Sequence, residues 1–105
     1  MKVYKILHKP TGLFYTPSKG YGNLSTTGKI YARQPKLNQI GGNIRIIVRE
    51  HALVGEEIKL SKKLRTIVDF FKIPQETWGA NNHVTGYYFD KHINIPNEDW
   101  EIIEL

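Results

Sequence analysis

Asn43-Ile44-Arg45-Ile46-Ile47-Val48-Arg49 alternates in a strict period of two, with Ile44, Ile46 and Val48 on one side and Arg45, Ile47 and Arg49 on the other. Successive side chains of a strand point to opposite faces, so this run predicts a central strand with one fully apolar face. Downstream the period changes. Leu64, Ile67, Val68 and Phe71 recur at i, i+3, i+4 and i+7, Ser61 stands where a first-turn cap belongs, and Pro74 ends the pattern. A helix over Ser61 to Ile73 follows, and strand plus helix in one short chain give an α+β protein.

Toward the N-terminus, Val3 to His8 reads as a strand and Lys9-Pro10-Thr11-Gly12 as the turn that reverses it into Leu13 to Thr16. An N-terminal hairpin is expected there. Pro17 to Thr27 is loop chemistry, rich in Gly, Ser, Thr and Asn, with Lys29 to Ala32 a brief third strand and Pro35 to Ile40 a turn ahead of Gly41-Gly42. Toward the C-terminus, Pro74 to Trp78 suits a short helical turn, Tyr87 to Phe89 a short strand, and Asp99 to Leu105 a closing strand. The expected architecture is a small, mostly antiparallel sheet of four or five strands. One main helix packs on one of its faces, and the termini lie on neighbouring strands.

The chain has 105 residues, too few for two separate cores, so a single domain 1–105 is expected. Its 40% hydrophobic and 24% charged residues are those of an ordinary globular protein. Absence of cysteine removes disulfides, thiolate nucleophiles and cysteine zinc sites, and fits a reducing cytoplasm. No apolar run approaches the roughly 20 residues that span a bilayer, so no membrane role is expected.

Charge is divided along the chain. Residues 1–49 carry nine Lys and Arg and no acidic residue, whereas residues 50–105 carry six basic and ten acidic residues. A +9 segment attracts polyanions, either nucleic acid or an acidic protein surface. Part of that charge is expected to cancel if the acidic strand near Glu98, Glu101 and Glu104 pairs beside the basic first strand.

Catalytic and metal chemistry finds little support. His8, His51, His83 and His92 have no second ligand at metal-site spacing, so neither a metal nor a cofactor is expected. No glycine-flanked nucleophile is present, and the run Gly22 to Ile30 fails as a phosphate loop by its glycine spacing and by Ile30 in the Ser/Thr position. A small hydrolase or nuclease using His83 and His92 is the remote alternative to a protein that is not an enzyme. The leading expectation is a binding protein whose aromatics stand among basic residues, an arrangement suited to stacking bases beside phosphate-binding charges. Candidate contacts are Lys19, Tyr21, Lys29, Tyr31, Arg33 and Lys36, with Tyr21 exposed and Tyr4 or Phe14 in the core. The alternative is a stoichiometric inhibitor of a host enzyme or defence protein that presents Trp78 as an aromatic anchor. An exposed edge strand would also permit a homodimer.

Lys2-Val3-Tyr4-Lys5-Ile6, Lys9-Pro10-Thr11-Gly12-Leu13-Phe14-Tyr15, Gly28-Lys29-Ile30-Tyr31 and Asp99-Trp100-Glu101-Ile102-Ile103-Glu104 together resemble a group of small accessory proteins of tailed bacteriophages. The resemblance covers the two ends of the chain. It implies a phage-encoded protein of the bacterial host cytoplasm that acts by binding, and it carries over no catalytic residue.

Overall fold

The computed structural model describes residues 2–18, 21–37, 43–53, 55–74 and 84–105. Among these residues six strands form one sheet: β1 (Tyr4–His8), β2 (Leu13–Ser18), β3 (Tyr21–Ser25), β4 (Asn43–Leu53), β5 (Val84–Asn94) and β6 (Trp100–Glu104). Among the described residues there is one α-helix, α1 (Lys62–Phe71), which lies between β4 and β5 in the chain. The strand order is β5-β4-β3-β2-β1-β6. Pairing is antiparallel for β1 with β2, β1 with β6 and β2 with β3, and parallel for β3 with β4. The α+β class therefore holds, with six strands where four or five were expected.

The extra strand is β3, which lies inside the Pro17 to Thr27 stretch read as loop. Its sequence, Tyr21-Gly22-Asn23-Leu24-Ser25, has little strand propensity, but backbone pairing on both sides outweighs that. The Lys29 to Ala32 strand is corrected in the opposite direction. It reduces to one antiparallel bridge, Tyr4 with Tyr31. The Pro35 to Ile40 turn and Gly41-Gly42 extend beyond the described residues, as does most of the Pro74 to Trp78 turn.

The hairpin forms as expected. Gly12 closes the turn at φ 72°, its N–H donating to the His8 carbonyl at 2.9 Å. The helix is bounded by Ser61, whose hydroxyl accepts from Leu64 N–H at 3.2 Å, and by Lys72 in the left-handed conformation. Along β4, Ile44, Ile46 and Val48 are buried and Ile47 and Arg49 exposed, as the period of two requires.

Contacts divide the chain into two compact units, Met1–Arg45 with His92–Leu105, and Ile46–Lys91. In the first, register places Ile6, His8, Leu13, Leu24, Ile44 and Trp100 on one face of the sheet, and all six are buried. Lys5, Leu7, Phe14, Thr16 and Tyr21 occupy the other face. Phe14 and Tyr4 are only half-buried, and so is Tyr21, so neither of the first two supplies the core aromatic that was expected. Trp100 does, its ring meeting His8 and Tyr15 edge to face at 5.2 and 5.7 Å. In the second unit, Ile67 of α1 is buried together with Ile73, Tyr87 and Phe89, and the Tyr87 hydroxyl donates to the Ile73 carbonyl at 2.7 Å.

The first and last strands do pair, which puts the termini on neighbouring strands, but register limits the charge cancellation. Lys5 stands opposite Ile103 and Glu101 opposite Leu7. Lys2 meets Glu104 at 3.5 Å with both side chains largely exposed, a pair worth about 0–1 kcal/mol.

Candidate functional site

β1 and β2 separate after two paired positions, Leu7 with Phe14 and His8 with Leu13. The segment after β3 enters the gap that opens between them. Ser25 Oγ accepts from Gly28 N–H at 2.7 Å, Lys29 N–H donates to the Tyr15 carbonyl at 3.2 Å, and Tyr31 exchanges both backbone hydrogen bonds with Tyr4 at 2.8 and 2.9 Å. Residues 28–31 thus join the backbones of both splayed strands. Lys29 and Tyr31 are fixed there by main-chain bonds rather than carried on a free loop.

A cavity of about 200 Å³ opens at this junction, lined by Ile6, Tyr15, Pro17, Lys29, Tyr31, Pro35 and Lys36. Ile6, Tyr15 and Pro17 belong to the sheet face that carries the core, so the cavity has an apolar floor and a basic rim. The Lys29 ammonium sits over the Tyr31 ring, 4.9 Å from its centroid. Burial raises the Tyr15 and Tyr31 hydroxyls above the usual phenol range, and their proximity raises Tyr31 further. Both phenols therefore stay protonated at neutral pH and present O–H donors beside two lysines.

Of the residues nominated from sequence, Lys29, Tyr31 and Lys36 converge on this cavity. Arg33 is exposed and does not line it, and Lys19 and Trp78 lie outside the described residues. Tyr21 is elsewhere. It stands opposite Ser18 and therefore on the other sheet face, where its hydroxyl accepts from Arg45 at 3.3 Å and its ring packs edge-on to His92 at 5.8 Å. The basic residues are thus divided between two faces instead of forming one patch. Ile6, Tyr15, Pro17 and Pro35 were not among the nominated contacts. The alternation of Tyr15 and Pro17 with Phe14 and Thr16 along β2 was the signal that could have found two of them.

A second feature absent from the sequence reading is His8, which has no solvent exposure. Thr11 Oγ1 accepts from Leu13 N–H at 3.3 Å and is hydrogen-bonded to His8 Nδ1 at 2.7 Å. His8 Nε2 faces the Asp99 carboxylate at 3.8 Å. Lys9 N–H donating to the Asp99 carbonyl at 2.8 Å completes a clamp between the β1–β2 turn and the segment entering β6. Burial lowers the His8 pKa, with Asp99 opposing in part.

That direction has a consequence for stability. The unfolded chain, with histidine near its usual value of about 6.5, binds more protons than the folded one in the window below it. Stability is therefore full above pH 6.5 and falls as pH drops from there through the depressed folded value. Thermal unfolding followed from pH 8 to pH 5 is expected to show a midpoint that declines below pH 6.5. In His8→Gln that decline is expected to be shallower, and an equal decline in both proteins would overturn the assignment.

Of the two histidines in the remote catalytic alternative, His92 is hydrogen-bonded to Asn43 Oδ1 at 2.9 Å, and His83 lies outside the described residues. Among the described residues no three His, Asp or Glu side chains are grouped to hold a metal ion, and no helix is long and apolar enough to cross a membrane. No protein-family model, curated protein or solved structure matches the chain.

Proposed function

We propose that this chain is a non-enzymatic binding protein for single-stranded nucleic acid, engaged through the cavity at the β1–β2 junction. The observation that carries the reading is the meeting of Lys29, Lys36, Tyr15 and Tyr31 around one apolar-floored cavity. Lysines at a rim attract phosphate, and aromatic rings beside them offer stacking surfaces that any base can use. An acidic protein would be drawn by the same charges, but it has no use for a pocket floored by Ile6 and Pro17 and edged by phenols. The resemblance to phage accessory proteins adds a setting, stoichiometric binding in a bacterial host.

Fluorescence anisotropy with labelled ten-residue DNA and RNA strands tests this. Binding is expected at micromolar protein in low salt, weakening linearly as log salt rises. Lys29→Ala combined with Lys36→Ala is expected to reduce the slope by about 1.4, at about 0.7 per single-strand phosphate contact. Absence of binding to every strand would overturn the proposal. So would competition by polyglutamate equal to that by unlabelled strand, the result expected of a site for acidic proteins.

A further inference from the structure

We infer that the cavity takes one unpaired base, with its phosphate held at the rim by Lys29 and Lys36, so that a single nucleotide is the smallest complete ligand. This rests on the proposed nucleic-acid reading and narrows it to one recognition unit.

Shape and lining are the first element. At about 200 Å³ the cavity is a compartment for one ring system rather than a groove that tracks a strand. Its walls pair flat or apolar surfaces (Tyr15, Tyr31, Pro17, Pro35 and Ile6) with two ammonium groups, and among the described residues no carboxylate lines it. A phosphate alone would make no use of the apolar walls, and an apolar group alone would make no use of the lysines. A base joined to a phosphate uses both.

Preorganisation is the second element. The backbone of Lys29 is bonded to Tyr15 and that of Tyr31 to Tyr4, while the Tyr15 ring rests edge-on against buried Trp100 at 5.7 Å. Lys29 packed over Tyr31 holds that ring as one side of the compartment. The two phenols supply hydrogen-bond donors that a base edge, with its ring nitrogens and carbonyl oxygens, can accept, and their oxygens remain able to receive an amino group. A base that enters must be free of its complement, so duplex is excluded by geometry even though it carries more charge.

Calorimetric titration of the full chain with AMP and UMP, against ribose 5-phosphate and inorganic phosphate, separates these contributions. The nucleotides are expected to bind about 5- to 150-fold more tightly than ribose 5-phosphate, the range of one base stack. Tyr31→Leu, which keeps bulk at the bridge to Tyr4, is expected to remove most of that preference, with circular dichroism and the melting temperature confirming the fold. A ten-residue strand made wholly abasic is expected to lose the same factor relative to its normal counterpart. Equal binding of ribose 5-phosphate and nucleotide, or of abasic and normal strands, would overturn the single-base inference while leaving strand binding intact. Failure of every strand to bind would remove both.

Discussion

Trp100→Ala is expected to destabilise the chain by about 3–5 kcal/mol, a large share of the 5–15 kcal/mol that holds an ordinary domain folded. Trp100 opens β6, pairs with His8 across the sheet and keeps only 3% of its surface exposed. Its ring contacts both the His8 imidazole and the Tyr15 phenol. Truncation leaves a void that two rings of different character must fill, and neither can collapse into it freely, since His8 is tied to Thr11 and Tyr15 lies within paired β2. The indole N–H has no hydrogen-bond partner among the described residues, so some of the value of burying the ring is offset by a desolvated donor. Trp100→Phe removes that donor and keeps most of the ring, and is therefore expected to cost less than half as much as the alanine change. Urea unfolding of the three proteins measures both differences. An alanine variant within 1 kcal/mol of the parent would show that the ring is not a core element.

How much of this arrangement was legible in the sequence depended on whether the physical cause was local. β4 and α1 carry their own periodicities, and the first hairpin carries its own turn, so each can be read from a short window. β3 carries neither. Leu24 is its one large aliphatic residue, and the strand exists because β2 and β4 offer backbone partners on both sides, a cause lying about twenty residues away in the case of Ile44. Lys29 to Ala32 has strand composition and is held at a gap where β1 and β2 diverge, which leaves room for only one bridge. Local preference was right about a β pairing at Tyr31 and blind to the space available.

The site divides in the same way. Lys29, Tyr31 and Lys36 were legible as residue types, but which nominated residues share a surface was set by strand register. Tyr21 is opposite Ser18, one step out of phase with Pro17, and a single step is enough to send it to the other face. His8 was open to the same reasoning, since Tyr4, Ile6 and His8 alternate onto the face that Ile6 shows to be inward. A polar residue at such a position calls for partners, and Thr11 and Asp99 come from two turns that only the fold brings together.

The second large effect is expected at Gly28, and it links stability to the candidate site. Gly28 has φ 72°, a conformation that costs a residue with a side chain about 1–2 kcal/mol. A Cβ there would also overlap the Cβ of Phe14, an atom fixed to the β2 backbone that cannot swing aside as the far end of a side chain would. Such crowding typically adds about 1–3 kcal/mol, so Gly28→Ala is expected to lose about 2–5 kcal/mol in total. Gly12 separates the two causes. Its φ is also 72°, yet an added Cβ would meet nothing within 4 Å, so Gly12→Ala is expected to lose only the conformational part. The two variants should differ in binding as well. Relief of the clash moves residues 28–31 away from β2, breaking the Lys29 bond to Tyr15 and displacing Lys29 and Tyr31 from the cavity, whereas Gly12 lies in the opposite turn and leaves the cavity unchanged. Nucleotide titration at a temperature where both variants are folded is expected to show binding lost in Gly28→Ala and retained in Gly12→Ala. Equal losses of stability in the two would show that Phe14 accommodates the methyl group, and the wedge between β1 and β2 would then not be what holds the cavity in place.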